Sequence, residues 1–229
     1  AEAFPEDVQL IVVIGGDGSI LHAAHLAVKA DVPLLGINLG RLGYLASLEP
    51  SELTLLSLLA EGKYSEKKRM LLSLSVPGDP GQTVVALNDI VISGGGHLAD
   101  LKLYDGDSSL SYRADGLIFS TPTGTTAYSL SAGGPVLDEN MEALCVTPIC
   151  PRSFFARSLI FAPETSLTVE NVTQRGDGLS VTVDGKTVFP LRKSGKITVT
   201  RADRYVRFMD LRPRKLMDVL FHKMNMQNF

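Results

Sequence analysis

The stretch Gly15-Gly16-Asp17-Gly18-Ser19 limits the fold of this chain more than any other. It lies between the apolar run Leu10-Ile11-Val12-Val13-Ile14 and the helix-patterned segment from Ile20 to Ala30. A short unbroken run of mostly β-branched residues reads as a buried strand of a parallel sheet, and the glycines behind it let the backbone turn sharply and approach a ligand closely. A strand ending where a helix begins leaves unpaired N–H groups and the positive end of the helix dipole in one crevice, which favours phosphate. Asp17 is out of place there unless its carboxylate has a task of its own, such as holding Mg²⁺ or taking a proton from an attacking hydroxyl. The simpler reading is an Asp-Gly turn that only packs a corner. The turn matches neither the Walker pattern nor Gly-x-Gly-x-x-Gly, so nucleotide handling here would proceed without a lysine in the loop.

Downstream, Pro33-Leu34-Leu35-Gly36-Ile37 reads as a second buried strand, which completes a βαβ unit. The loop from Asn38 to Tyr44 falls at its carboxyl end, where such sheets bind ligands. Tyr44 can stack on a base there or serve as a rim tyrosine. Ser51 to Glu61 has a leucine stripe, Ser51 as N-cap and Gly62 as stop, and reads as a helix covering the sheet. Residues 1–66 are thus expected to form an α/β domain. So little chain precedes its first strand that the sheet is expected either to be completed from downstream or to belong to a truncated chain.

From Glu66 the texture changes to alternating runs such as Met70 to Val76 and Thr83 to Ile92, punctuated by turns such as Pro77 to Gly81. Short, evenly spaced strands of this kind predict an antiparallel, sandwich-like domain over residues 67–200. Leu101 to Tyr104, Gly116 to Ser120 and Leu167 to Glu170 are further strands. Leu179 to Val183 and Lys186 to Phe189 form a hairpin around Asp184-Gly185, and Thr125 to Ser131 forms a short helix. Residues 201–229 carry five arginines up to Arg214 and then a helix with Leu216, Val219, Leu220 and Met224 as its apolar stripe, predicted to pack back on the first domain.

With 229 residues, 45% of them hydrophobic, the chain can build a sizeable core. A net charge of −3 gives no electrostatic footprint for nucleic acid. No apolar stretch approaches a membrane span and residues 1–7 do not resemble a signal peptide, so a cytoplasmic protein with no membrane partner is expected. Cys145 and Cys150 read as buried free thiols. His22 and His25, three apart on a helix, are close enough to share a metal, or else one is exposed and one packs.

Three further stretches place polar residues where strands should end. Asn88-Asp89 interrupts the apolar run from Val84 to Ile92, and adjacent Asn and Asp can grip a vicinal diol such as a ribose; a bulge or turn is the alternative. Arg113 and Asp115 stand two residues apart, on one side of an extended chain. The run Ser120 to Pro135, rich in small hydroxyl residues and glycines, cannot build a core but can line a tight polar pocket.

Gly15-Gly16-Asp17-Gly18, Asn88-Asp89 and the run from Asp115 to Pro135 together resemble the bacterial NAD kinase family over nearly the whole chain. The first turn alone also resembles 6-phosphofructokinases and the diacylglycerol and sphingosine kinases, whereas the Thr-Pro-Thr-Gly run is specific. The resemblance implies transfer of the γ-phosphoryl group of ATP, or of polyphosphate, to the 2′-hydroxyl of the adenosine ribose of NAD, with Mg²⁺ or another divalent ion. It implies Asp17 as the base and Gly15, Gly16 and Gly18 as the phosphate cradle. Asn88 and Asp89 would hold the ribose, with Asp89 standing where Glu is more usual. Arg113 and Asp115 would lie near the nicotinamide end. Thr123, Thr126, Ala127, Tyr128, Ser129, Leu130 and Ser131 would line the pocket, with Tyr128 and Tyr44 beside the bases. Ala99 occupies a position that often contributes, and Lys186 one where relatives often carry Gln. The implied fold is a truncated Rossmann-like α/β domain, without the usual N-terminal βα segment, followed by an antiparallel β-sandwich-like domain. The implied assembly is a homodimer or homotetramer built through the β-rich region. A lipid kinase using the same turn and a non-catalytic NAD-binding sensor are the alternatives.

Overall fold

The chain is represented by a computed structural model that describes residues 7–39, 43–77, 79–174, 178–212 and 216–226. It divides into two compact units, residues 1–69 with 204–229 and residues 70–203.

In the first unit, β1 (Ile11–Gly15) leads through Gly16 into α1 (Asp17–Ala30) and then β2 (Leu34–Asn38). β1 and β2 are parallel, with Ile11 opposite Leu34 and Gly15 opposite Asn38, so the glycine corner and Asn38 share the carboxyl end of the pair. α1 buries Ile20, Ala23, Ala24, Ala27 and Val28, the three-to-four spacing of an amphipathic helix, and closes at Asp31 in the left-handed region with φ 53°. All five residues of β2 are buried. β1 departs from the expected buried strand: it ends the strand order, and Val12 and Ile14 are 48% and 61% exposed. Its apolar run meant two covered faces, whereas one face is uncovered among the described residues.

The expected helix from Ser51 is a 3-10 segment, Pro50–Leu56, running into the one-turn α2 (Ser57–Ala60). Its cap is Glu49 rather than Ser51. The Glu49 side chain accepts from the backbone of Glu52, the Glu52 carboxylate accepts from the Glu49 N–H at 3.0 Å, and Pro50 fills the first position, where no N–H is needed. Leucines of this segment pack on Leu35, Ile37 and Leu48.

The chain then enters β3 (Ser65–Val76), β4 (Asp79–Ala86), β5 (Asp89–Ser93), β6 (Ala99–Asp105), β7 (Ser108–Ala114) and β8 (Gly116–Ser120). A 3-10 turn, Thr123–Thr126, and α3 (Tyr128–Ser131) follow. The remaining strands are β9 (Leu144–Ile149), β10 (Leu159–Phe161), β11 (Leu167–Asn171), β12 (Leu179–Val183), β13 (Lys186–Leu191) and β14 (Lys196–Asp210), before α4 (Leu216–Met226). Gly78, in the predicted turn after β3, lies outside the described residues.

Within the second unit one antiparallel sheet has the order β10-β9-β8-β5-β12-β13. Another antiparallel set joins the start of β14 to β11, β11 to β6 and β6 to β7, with β3 paired to β4. β11 and β12 alternate buried and half-buried residues, the period of strands covered on one face, while β8 and β9 are buried throughout. The run from Thr83 to Ile92 is therefore two strands. β4 pairs with β3, β5 belongs to the other sheet, and the chain changes sheet at Leu87-Asn88.

The end of β14 returns to the first unit, where Phe208 lies opposite Leu34 of β2 in a parallel pair. α4 also belongs to that unit, with Leu216, Val219 and Leu220 partly buried; the side chain of Met224 lies outside the described residues. Arg201, Arg207 and Arg212 form ion pairs with Glu142, Glu66 and Glu52, the ordinary state of a solvated charged face. Both cysteines are free, but only Cys145 is buried: Cys150 is exposed with φ 44°, just past β9. His22 is exposed and His25 half-buried on α1.

Candidate active site

In the first unit the site is built around the start of α1. Gly16 occupies the N-cap position with extended backbone and no side-chain cap. Its carbonyl accepts from the N–H groups of Ser19 and Ile20 at 3.0 and 3.2 Å. The helix thus begins without the Ser, Thr, Asp or Asn that usually satisfies first-turn amides. A Cβ on Gly15 would lie 2.7 Å from Ser19 Oγ, so the fold itself requires that glycine. A Cβ on Gly16 or Gly18 would meet nothing within 4 Å. Among the described residues their bareness serves no packing and leaves room for a group from outside.

Asp17 is half-buried, and its carboxylate is engaged: Oδ2 accepts the Tyr44 N–H at 2.9 Å and Oδ1 the Leu45 N–H at 3.1 Å. Asp17 therefore ties the segment after β2 to the glycine corner, a role its sequence position did not reveal. A Cβ on Gly43 would fall 2.0 Å from Asp17 Oδ1, so the clamp depends on that glycine. A carboxylate offers about four lone-pair sites, and two N–H bonds leave capacity for a further hydrogen bond. Burial, reinforced by the Asp17 charge, raises the Tyr44 phenol above its usual pKa. At the end of β2, Asn38 is fully buried and donates to Glu49 Oε2 at 3.0 Å.

In the second unit the corner at residues 87–89 is the centre. Asp89 begins β5 and is 6% exposed, while Asn88 is half-buried in the turn before it. Burial, with the Asp184 carboxylate close by, pushes the Asp89 carboxyl up to about 7, against the pull of a hydrogen bond from the Tyr128 backbone. The Thr-Pro-Thr-Gly run closes on this corner. The Thr121 N–H donates to the Asn88 carbonyl at 3.0 Å, the Thr121 hydroxyl to the Leu87 carbonyl at 2.5 Å, and Thr121 Oγ1 accepts the Gly124 N–H at 3.0 Å.

Of the other expected site residues, Thr123 is buried and its carbonyl accepts from the Thr126 hydroxyl at 3.0 Å. The Ala127 N–H donates to the Gly124 carbonyl at 2.9 Å. Tyr128, Leu130 and Ser131 are exposed on α3. Ser129 turns inward and is fully buried, sharing a 2.9 Å hydrogen bond with Thr147. Ala99 is fully buried in β6 opposite Ala114. Arg113 faces Asp100 across the β6–β7 ladder at 3.6 Å. The Asp115 N–H donates to the Ile149 carbonyl at 2.9 Å. Lys186 is exposed at the start of β13. Gly43, Thr121, Gly124 and Asp184 were not singled out one by one from the sequence. Gly124 and Thr121 sat inside the small-residue run, and Asp184 was read as a hairpin residue only.

A parallel strand running into Gly-Gly-Asp-Gly, an uncapped helix start behind it, and a β-rich unit carrying a half-buried Asn beside a buried Asp are the parts of an α/β-plus-β nucleotide kinase. Comparison with known proteins gives the particular family. Residues 1–64 match the ATP-NAD kinase N-terminal domain and residues 87–211 the ATP-NAD kinase C-terminal domain. An NAD kinase of Caldanaerobacter subterraneus is 35% identical over 220 residues, 93% of this chain and 77% of that protein. One of Thermococcus sibiricus is 41% identical over 207 residues, covering 89% and 73% of the two chains. Among solved structures, yeast NADH kinase complexed with NADH superposes with a TM-score of 0.84 at 27% identity, covering 97% of this chain and 69% of that one. An NAD kinase from Archaeoglobus fulgidus in complex with ATP gives 0.77 at 28%, covering 94% and 84%. The chain belongs to the NAD kinase family.

Proposed function

We infer that this protein transfers the γ-phosphoryl group of ATP to the 2′-hydroxyl of the adenosine ribose of NAD, giving NADP and ADP. The observation that carries this reading is the corner at 87–89, where a half-buried amide adjoins a buried carboxylate, the pair a vicinal diol requires. Asn88 and Asp89 hold the ribose hydroxyls. Asp17 accepts the 2′-hydroxyl proton as the ribose oxygen bonds to Pγ and the bond from Pγ to the β–γ bridging oxygen breaks. The bare start of α1 gives N–H donors to phosphate oxygens. Thr123, Thr126, Ala127, Tyr128 and Leu130 line the dinucleotide pocket, with Arg113, Asp115 and Lys186 at its margin.

Among the described residues no group of three or more His, Cys, Asp or Glu side chains is placed to hold a metal ion. Mg²⁺ would arrive mainly with nucleotide phosphates and water, and Asp17 is the carboxylate that would lie beside it. Bound so, Mg²⁺ would neutralise charge on the transferred group. Phe154 and Phe155, 90% and 93% exposed on the β-rich unit, support a homodimer or homotetramer built through that unit, and a monomer in sedimentation would remove this part of the reading. Among the described residues no helix is long and apolar enough to cross a membrane, and ATP and NAD as substrates support a cytoplasmic site of action.

Incubation with ATP, Mg²⁺ and NAD should yield NADP, and incubation with diacylglycerol should yield no phosphatidate; phosphatidate without NADP would reverse the assignment. Gly18→Ala tests the phosphate cradle. A Cβ there has open space and Ala is the better helix former, so stability should hold or rise by up to about 1 kcal/mol, while the KM for ATP rises roughly tenfold. Unchanged KM would show that the space serves no ligand.

Asp89→Asn tests the ribose corner. Loss of charge-assisted bonds worth about 1.5–3 kcal/mol each should weaken NAD binding at least tenfold in calorimetry. The same variant reads the proton linkage. A carboxyl at about 7 in the folded state, against 3.8 ordinarily, stabilises the fold at low pH, and that contribution is lost as pH rises through 7. The wild-type unfolding free energy should therefore fall relative to Asp89→Asn between pH 4 and pH 7, and parallel curves would contradict the buried acid.

A further inference from the structure

The Asp184-Gly185 turn joins β12 to β13, with both residues in the left-handed region at φ 47° and 76°. A type I′ two-residue hairpin such as this one needs positive φ at both places, and Asn-Gly supplies this at least as well as Asp-Gly. The side chain of Asp184 does something the hairpin does not need. Its Oδ2 accepts the Leu87 N–H at 2.8 Å, and its Oδ1 accepts the N–H groups of Asn88 at 2.8 Å and Asp89 at 3.0 Å. The Asp184 N–H returns a bond to the Asp89 carbonyl at 2.9 Å. Three consecutive amides thus converge on one carboxylate where the chain passes from one sheet to the other. Only an acceptor-only group satisfies all three, since the amide nitrogen of Asn would face one of the donors.

We propose that Asp184 is a positioning residue for the kinase reaction: its carboxylate fixes the backbone of residues 87–89, so that the Asn88 and Asp89 side chains stand ready for the ribose before NAD arrives. This rests on the reading that Asn88 and Asp89 hold that ribose. The corner is held from the other side by Thr121, which bonds the Leu87 and Asn88 carbonyls and is itself bonded by the Gly124 N–H, so freeing the corner's amides loosens one wall of a two-walled clamp. Asp184 is also the charged group facing Asp89, alongside the Tyr128 backbone donor, and it opposes ionisation of Asp89.

The test is Asp184→Asn, which keeps the size and the turn preference. The KM for NAD should rise about tenfold to a hundredfold, since small displacements of substrate-holding groups are costly, while the KM for ATP stays within about twofold. The titration midpoint of Asp89, followed by carboxyl NMR in the absence of NAD, should move down. A folded variant with unchanged NAD KM and an unmoved Asp89 midpoint overturns the proposal, as does an equal loss towards both substrates. Should the variant fail to fold, amide exchange in the wild-type protein decides. Leu87, Asn88 and Asp89 should exchange as slowly as the neighbouring strands, and fast exchange at all three overturns the positioning role. The NMR and exchange arms need no NAD, so they separate failure of this inference from failure of the ribose reading.

Discussion

Replacement of Asp17 by Asn should lower kcat for NADP formation by about 10²–10⁴-fold while changing the Kd for NAD by less than roughly threefold. Taking a proton from the 2′-hydroxyl is a task of the transition state, so losing it should appear in turnover and not in ground-state binding. The structure adds a second expectation. The Asp17 carboxylate also holds the N–H groups of Tyr44 and Leu45, and Asn can accept one of them only by turning its amide nitrogen toward the other. A modest stability loss, on the order of 1–3 kcal/mol, should accompany the kinetic one. The two effects separate by readout. Loss of the base lowers kcat at saturating substrates, whereas a loosened loop lowers resistance to denaturant. Undiminished turnover would take Asp17 out of the chemistry and leave it as a loop clamp.

Local signals carried the sequence reading well in some places and poorly in others. The run of Ile and Val before Gly15, the alternation in β11 and β12, and the Asp-Gly hairpin each depend on neighbours within a few residues, and all appear as strands and turns. The partners of Asp17 and Asp184 lie 27 and more residues away in sequence, at Tyr44 and at Leu87 to Asp89, so no local pattern could show them. Ser51 illustrates a smaller miss. Its hydroxyl makes it a good N-cap by composition, but Pro50 at the first helical position moves the cap back to Glu49. Arg113 and Asp115 were expected on one side of an extended chain, but β7 ends at Ala114 and Asp115 lies at the bend before β8, while the ladder with β6 brings Asp100 directly opposite Arg113. Cys145 and Cys150 were both expected to be buried free thiols for want of metal-site partners, and Cys150 instead lies exposed at a left-handed residue just past β9.

The Thr-Pro-Thr-Gly run was legible as the lining of a polar pocket but not as a brace for the 87–89 corner, and Gly124→Ala should show what that brace does. A Cβ at residue 124 would lie 1.9 Å from the Asn88 carbonyl oxygen and 2.4 Å from its carbon, backbone atoms that cannot swing aside as a side chain would. Nor can the 3-10 turn withdraw easily. The Thr125 N–H is bonded to the Thr121 carbonyl at 3.1 Å, and Thr121 is itself bonded to Leu87 and Asn88. The overlap must then be relieved by moving the 87–89 corner. A cost of about 3 kcal/mol or more is expected for such overpacking, a fall in Tm of roughly 6–12 °C for a chain of this length. Because the atoms displaced belong to Asn88, NAD affinity should fall about a hundredfold in the fraction that remains folded. Gly16→Ala is the contrasting variant, with nothing within 4 Å of the added methyl, and it should leave Tm nearly unchanged. If Gly124→Ala kept full NAD affinity at wild-type Tm, the close approach of this glycine to Asn88 would not be what holds the ribose corner in place.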